Sequence, residues 1–244
     1  MKDADIDRLA AAAGDHWWYQ AKLDLVEQEI TRAGADRRRA VDAGCGSGHL
    51  LERLAGMGFA SVVGMDASGR ALTHARGNAP RAALLRAAAE QVPLASDTTM
   101  CLTSLDVIEH CDDVAAVREY TRVVRPGGIV VIAVPAYEWR WSDHDVALGH
   151  RRRYTRSSLR HVLEPAGLDV VRTTYFHSWL LVPAALIRKT PLRRLQGEAS
   201  ASEMSDVSPA VNKLFGRLAR LERRVVRHVP LPFGLSVLAI CRRR

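Results

Sequence analysis

The segment Val41-Asp42-Ala43-Gly44-Cys45-Gly46-Ser47-Gly48 constrains this chain more than any other. Three glycines at alternate positions follow a short apolar stretch, Ala40-Val41, that ends at an acid. Glycine admits positive φ and lets a ligand lie against the backbone with no Cβ in the way. The helix expected from about His49 to Ala55 would offer unpaired N–H groups at its start. A dinucleotide-binding turn needs G-x-G-x-x-G, but His49 stands where its last glycine belongs, and the third glycine comes one residue early. An acid just before the loop suits a ligand with a cationic group better than a pyrophosphate. Asp66 closes the next apolar stretch, Ser61–Met65, where it can accept from both hydroxyls of a ribose.

The rest of the first 175 residues alternates in the same way. Trp17, Trp18, Leu23, Val26 and Ile30 have helical spacing. Helices are expected over 67–77 and 114–124, and strands over 82–85 and 100–105. Arg125-Pro126-Gly127-Gly128 reads as a turn before Ile129–Val134, an unbroken apolar run rich in β-branched residues that suits a strand buried on both faces. This rhythm predicts a parallel sheet between helices. A polar and aromatic loop is expected over 136–154, then a helix over 156–164 and strands over 168–174 and 235–241.

These residues resemble the class I S-adenosylmethionine-dependent methyltransferases. That superfamily carries D/E-x-G-x-G-x-G after its first strand, an acid ending its second, and a proline-glycine turn before its fifth. Here they are Asp42/Gly44/Gly46/Gly48, Asp66 and Pro126-Gly127-Gly128, in that order. The resemblance covers about residues 16–175 and the final strand. It implies a Rossmann-like α/β fold, a seven-stranded sheet with helices on both faces and its last strand antiparallel, and S-adenosyl-L-methionine as cofactor. Asp42 and the Gly44-Cys45-Gly46-Ser47-Gly48 backbone would face the methionine moiety, and Asp66 would hold the ribose. Ala67, Ala89 and Glu90 would border the adenine, and Leu105 and Asp106 the sulfonium end. Tyr19 or Lys22, on a helical lid over residues 1–35, would approach the cofactor's carboxylate. Two departures touch the adenine contacts: Ala88 replaces a frequent acid, and Met100-Cys101 replaces Phe-Asp.

Methyl transfer from a sulfonium is an in-line displacement, so positioning supplies much of the catalysis, and a hydroxyl or amine acceptor benefits from a base. The loop after the fifth strand holds Tyr137, Trp139, Trp141, Asp143, His144, Asp145, His150, Arg151, Arg152, Arg153 and Tyr154. It resembles a bacterial methyltransferase subgroup with a P-x-Y…S-x-H-D…G-H-x-R-R-Y-T stretch. His144 is the expected base, oriented by Asp145, with His150 as a further catalytic candidate. Tyr137, Trp141, Arg152, Arg153, Tyr154 and His110 are expected to bind the acceptor, an arginine holding an acidic group. The run Asp106-Val107-Ile108-Glu109-His110 is similar to one that holds a divalent cation in quinone-pathway O-methyltransferases. A structural role is the better expectation for Glu109 and His110, and no metal is assigned.

Charge separates the chain into two parts. Residues 188–244 hold 13 Lys/Arg and 4 Asp/Glu, which leaves 22 and 23 in the first 187, so the formal +8 belongs to the C-terminal region. An insertion over 176–230 is expected there, with an apolar stretch (176–187) and a helix from Val211 to Val229 that sets an apolar stripe against Lys213, Arg217, Arg220, Arg223, Arg224 and Arg227. Such a helix suits an anionic membrane or acidic amphiphile, or packs on the core or a second subunit with its basic face solvated. The four cysteines have no CxxC spacing, the start of the chain does not read as a secretory signal, and no apolar run reaches the ~20 residues of a membrane span. The expectation is one cytoplasmic domain, with possible peripheral membrane contact, that methylates a small-molecule or lipid-like acceptor, an oxygen favoured. The alternatives are an RNA or protein methyltransferase docking through the basic region, and a non-catalytic binding or adaptor protein on the same scaffold. Nucleic acid is not favoured, because the body is not basic.

Overall fold

The computed structural model describes residues 3–181 and 207–244. Seven strands form one sheet: β1 (Arg39–Ala43), β2 (Ser61–Asp66), β3 (Ala83–Arg86), β4 (Thr99–Leu105), β5 (Val124–Pro135), β6 (Leu168–Phe176) and β7 (Ser236–Arg243). Their order across the sheet is β3-β2-β1-β4-β5-β7-β6. Pairings from β3 to β5 are parallel, and β7 runs antiparallel to both β5 and β6. The chain reverses its direction of travel across the sheet between β1 and β4, and the crevice at such a switch point is where ligands of open α/β sheets bind.

Among the described residues eight α-helices accompany the strands: α1 (Asp3–Ala13), α2 (Trp17–Arg32), α3 (His49–Gly56), α4 (Gly69–Asn78), α5 (Asp113–Val123), α6 (Asp143–Leu148), α7 (Arg156–Leu163) and α8 (Pro209–His228). The expected apolar run explains the layering. On β5, Val130, Ile132 and Val134 enter a core with Tyr120 of α5 and Leu159 of α7. Ile129, Val131 and Ala133 enter the opposite core with Val26 of α2, Leu51 of α3 and Val226 of α8. Successive side chains of a strand point to opposite faces, so a strand covered by helices on both sides has no polar position to show.

Two differences from the sequence reading concern local signals. The loop after β5 contains α6, whose start is set by a capping box in which Ser142 and Asp145 bond reciprocally, and whose end is set by Gly149 in the left-handed region. The Arg125–Gly128 turn is an irregularity inside β5 rather than a break before it. Much of the apolar stretch after β6 falls on residues 182–206 and lies outside the described residues.

Candidate active site

At the carboxyl end of β1, Asp42 is 3% exposed and lies opposite Thr103 of β4. The Thr103 hydroxyl donates to its Oδ1 at 2.6 Å. Burial pushes its pKa up to about 7; the nearby Asp66 adds to this and the Thr103 bond opposes it. A cation arriving beside Asp42 would favour its ionised form. The glycine loop then folds back on β2, the N–H groups of Gly44 and Cys45 both donating to the Met65 carbonyl at 2.7 and 2.9 Å. Gly44 has φ 78°, and a Cβ there would lie 2.2 Å from Cγ2 of Val107. Gly48 begins α3 at φ 84°, and its Cβ would meet the Ala75 Cα at 2.8 Å. Both close approaches require glycine.

Asp66 is fixed at both oxygens, Oδ2 accepting from the Gly46 N–H (3.0 Å) and Oδ1 from the Ser68 N–H (2.8 Å). Burial, with Asp42 and Asp66 beside it, holds the Cys45 thiol far above its ordinary pKa, so this cysteine is neutral and no nucleophile. The Ala67 carbonyl accepts from Arg86 Nε at 3.1 Å, and Ala89 packs against the α5-side core. The Glu90 side chain accepts from the Asp112 N–H at 3.3 Å, just before α5. Leu105 packs on the α2-side core. Asp106 takes a left-handed φ of 54° and pairs with Lys22 of α2, which is 5% exposed. Tyr19 lies beside Lys22, its ring centroid 5.8 Å from the ammonium, and burial holds its phenol protonated. Lys22 thus reaches the end of β4, with Tyr19 beside it.

Asp106, Tyr137 (φ 63°) and His177 (φ 55°) follow β4, β5 and β6, so three non-glycine residues in the left-handed region line the rim where these strands end. Such strain persists only where surrounding structure fixes it. Tyr137 stacks on Tyr175 (5.2 Å between centroids, 15°) and Trp139 (5.6 Å, 25°), forming an aromatic wall beyond the end of β5. Trp141 follows, half-buried.

The charged residues of this loop are arranged differently from the expectation. Asp145, with no exposed surface, accepts at Oδ1 from His150 Nδ1 (2.8 Å) and Arg153 Nε (2.7 Å), and at Oδ2 from Arg153 Nη2 (3.0 Å) and the Ser142 N–H (2.8 Å). Although burial works against its charge, these bonds hold its carboxyl well below the usual range. Among the described residues the imidazole that Asp145 orients is that of His150; the His144 side chain lies outside them. Arg153 is engaged in the same cluster, and its backbone N–H donates to Glu138 at 2.8 Å. Arg152 donates to Asp113 at 2.6 Å, and the Tyr154 hydroxyl donates to the other Asp113 oxygen at 2.8 Å. Tyr154 is 2% exposed. Arg153 and Tyr154, expected on the acceptor, are thus built into the loop's own framework, and Arg152 is tied to α5.

His110 meets His150 edge to face at 4.7 Å, and burial lowers its pKa, with His150 adding. Glu109 has no exposed surface and neither carboxylate oxygen has a partner; burial, with Asp106 adding, raises its pKa well above the ordinary value. One ligand atom each of Glu109, His110 and His150 lies within 4.8 Å of the others, the one such group among the described residues. A carboxylate with two imidazoles suits first-row transition ions better than Mg²⁺. Asp113, Thr103 and the Asp106–Lys22 pairing had no sequence signal, because their partners lie 41, 61 and 84 residues away.

A family model for a methyltransferase domain matches residues 41–132. The chain is 29% identical over 168 residues to a probable S-adenosylmethionine-dependent methyltransferase of Mycolicibacterium smegmatis, covering 68% of this chain and 64% of that protein. It is 39% identical over 158 residues to a ubiquinone biosynthesis O-methyltransferase of Rhizobium rhizogenes, covering 54% of this chain and 63% of the other. The chain thus spans less than two thirds of these curated relatives. Among solved structures, Haemonchus contortus phosphoethanolamine N-methyltransferase 2, in complex with S-adenosyl-L-methionine, superposes with a TM-score of 0.64 at 15% identity, covering 99% of this chain and 57% of that one. That likeness is one of fold.

Proposed function

We propose that this chain, which a methyltransferase-domain family model matches over residues 41–132, transfers the methyl group of S-adenosyl-L-methionine to an oxygen of a small-molecule or lipid-like acceptor, with His150 as the base. The observation that carries the assignment is the Asp145–His150 contact: a carboxylate bonded to Nδ1 fixes the ring and leaves Nε2 to take a proton. O-methylation draws support from the Rhizobium relative, a ubiquinone biosynthesis O-methyltransferase.

The residues present fit the cofactor. Asp42 offers a buried carboxylate for a cationic amino group, Gly44 and Gly48 let the loop close against Val107 and Ala75 while Gly46 between them has open space beside it, and Asp66 keeps a fixed carboxylate for ribose hydroxyls. When bound, S-adenosylmethionine supplies a methyl group activated by its sulfonium. Lys22 and Asp106 close the end of β4, and Tyr137 with Tyr175 offers an apolar wall to the acceptor. His150 Nε2 accepts the acceptor's proton, and Asp145 stabilises the imidazolium that forms.

The test is turnover of His150→Ala beside His144→Ala on an acceptor found by screening acidic phenols and lipid-linked sugars for methyl uptake. His150→Ala should lose about 10²–10⁴-fold in kcat with cofactor affinity unchanged, and His144→Ala should lose little. The reverse order would return the base to His144.

A further inference from the structure

The exposed side of α8 sorts its residues. At about 100° per residue, Leu221, Leu214 and Val225 fall within about 40° of one another, and Arg227, Arg220, Lys213, Arg224 and Arg217 fill the adjoining ~80°. All three apolar side chains are more than half exposed, and Val229 extends the ridge at 59%. The five cations are exposed too. None of them has an acidic partner among the described residues; the pair α8 does make, Arg223 with Asp24, lies on the inward side. The helix's one acid, Glu222, is also turned inward and accepts from the N–H groups of His177 and Ser178 at 2.7 Å each.

Packing explains only the other half of the helix. Ala219 and Val226 are buried, Phe215 meets Trp17 and Trp179 at 5.2 and 5.0 Å, and Asn212 accepts from the Trp17 N–H at 2.8 Å. A helix needs one apolar stripe to join a core, and this one carries a second, bordered by five cations with no acidic partner among the described residues. A water-facing helix gains nothing from an exposed Leu214–Leu221–Val225 ridge, whereas a helix lying in a bilayer interface sinks that ridge among acyl chains while its cations meet lipid phosphates.

We propose that this face of α8 docks the protein onto anionic lipid bilayer. The occupant follows from charge complementarity: five cations without a carboxylate among them, beside a narrow apolar ridge, match an acidic headgroup layer over hydrocarbon. Docking would seat the α2–α8 junction at the membrane. The proposal concerns binding alone and stands apart from the assignment of the reaction.

The experiment is co-sedimentation of the full chain with sucrose-loaded vesicles of phosphatidylcholine alone, or of phosphatidylcholine and phosphatidylglycerol in equal parts. The protein should sediment with the anionic vesicles only, and less as salt rises. Arg217→Glu/Arg224→Glu should lower its partition at least about tenfold, and Leu221→Asp/Val225→Asp should abolish it at low salt. These positions are exposed, so unchanged melting temperatures will show that the variants fold. Failure to sediment with anionic vesicles, or equal sedimentation with both kinds, would overturn the proposal. So would a dimer in light scattering that Leu221→Asp/Val225→Asp converts to monomer, which would assign the face to a second copy of the chain.

Discussion

His150 Nδ1 lies 2.8 Å from Oδ1 of Asp145, a carboxylate with no exposed surface that also holds Arg153 through both oxygens. The contact joins the proposed base to the loop's framework. Two effects of Asp145→Asn therefore separate. Turnover should fall because the imidazole loses the anion that orients it, and stability should fall because Arg153 keeps its burial without its counter-charge. The stability loss should be on the order of 3 kcal/mol by urea unfolding. His150→Gln should lose comparable turnover at much smaller cost in stability. Equal stability losses would show that the pair serves the fold alone.

Cofactor binding should depend on pH through Asp42. Its carboxyl ionises near 3.8 when unfolded and near 7 in the fold. Between those values the folded state holds a proton that the unfolded state has released, so this group's contribution to stability falls as pH rises. A cationic ligand favours the ionised form, so affinity should climb as pH passes through about 7. Calorimetry of the wild type and Asp42→Asn from pH 6 to 8 checks this: the variant should bind more weakly, with a flatter profile.

Gly44→Ala brings a Cβ to 2.2 Å from Val107 at a backbone φ of 78°. It should cost on the order of 2–4 kcal/mol in chemical denaturation and remove cofactor binding. Adding Val107→Ala should recover part of the stability by opening the space, while the φ penalty remains.

Tyr154→Phe removes a buried hydroxyl that donates to Asp113 at 2.8 Å. A loss of about 1–2 kcal/mol is expected, with kcat unchanged in the fully folded variant. A large fall in kcat at unchanged stability would instead return Tyr154 to the acceptor.

The Glu109–His110–His150 group makes zinc a probe of the base. Added Zn²⁺ should inhibit by occupying His150 Nε2, excess chelator should leave the untreated enzyme's turnover unchanged, and His110→Ala should weaken the inhibition. Loss of activity on chelation would instead assign the group to a resident metal.

How far the sequence carried depended on the range of each interaction. The sheet was legible because the Ile129–Val134 run, the glycine loop and the two strand-ending acids are local patterns with local causes. The aromatics after the fifth strand were plain in the sequence, but the stacking of Tyr137 on Tyr175 was not, because Tyr175 belongs to β6 and no local pattern connects them. The Asp145–His150 contact was not legible, because the two residues stand five apart and meet only through the turn at Gly149 that ends α6. The Ser142-x-x-Asp145 capping box, four residues that announce a helix start, was the available signal for α6. Arg152 and Tyr154 looked like binding residues because Asp113, their partner, stands some forty positions earlier and no pattern connects them.

The central claim, that this crevice takes S-adenosylmethionine, is tested most directly by calorimetric titration of the purified protein with S-adenosylmethionine and its demethylated product, beside NAD. The arrangement of Asp42, Gly44 and Asp66 predicts saturable binding of the first two and none of NAD. Binding of NAD, or of none of the three, would contradict it.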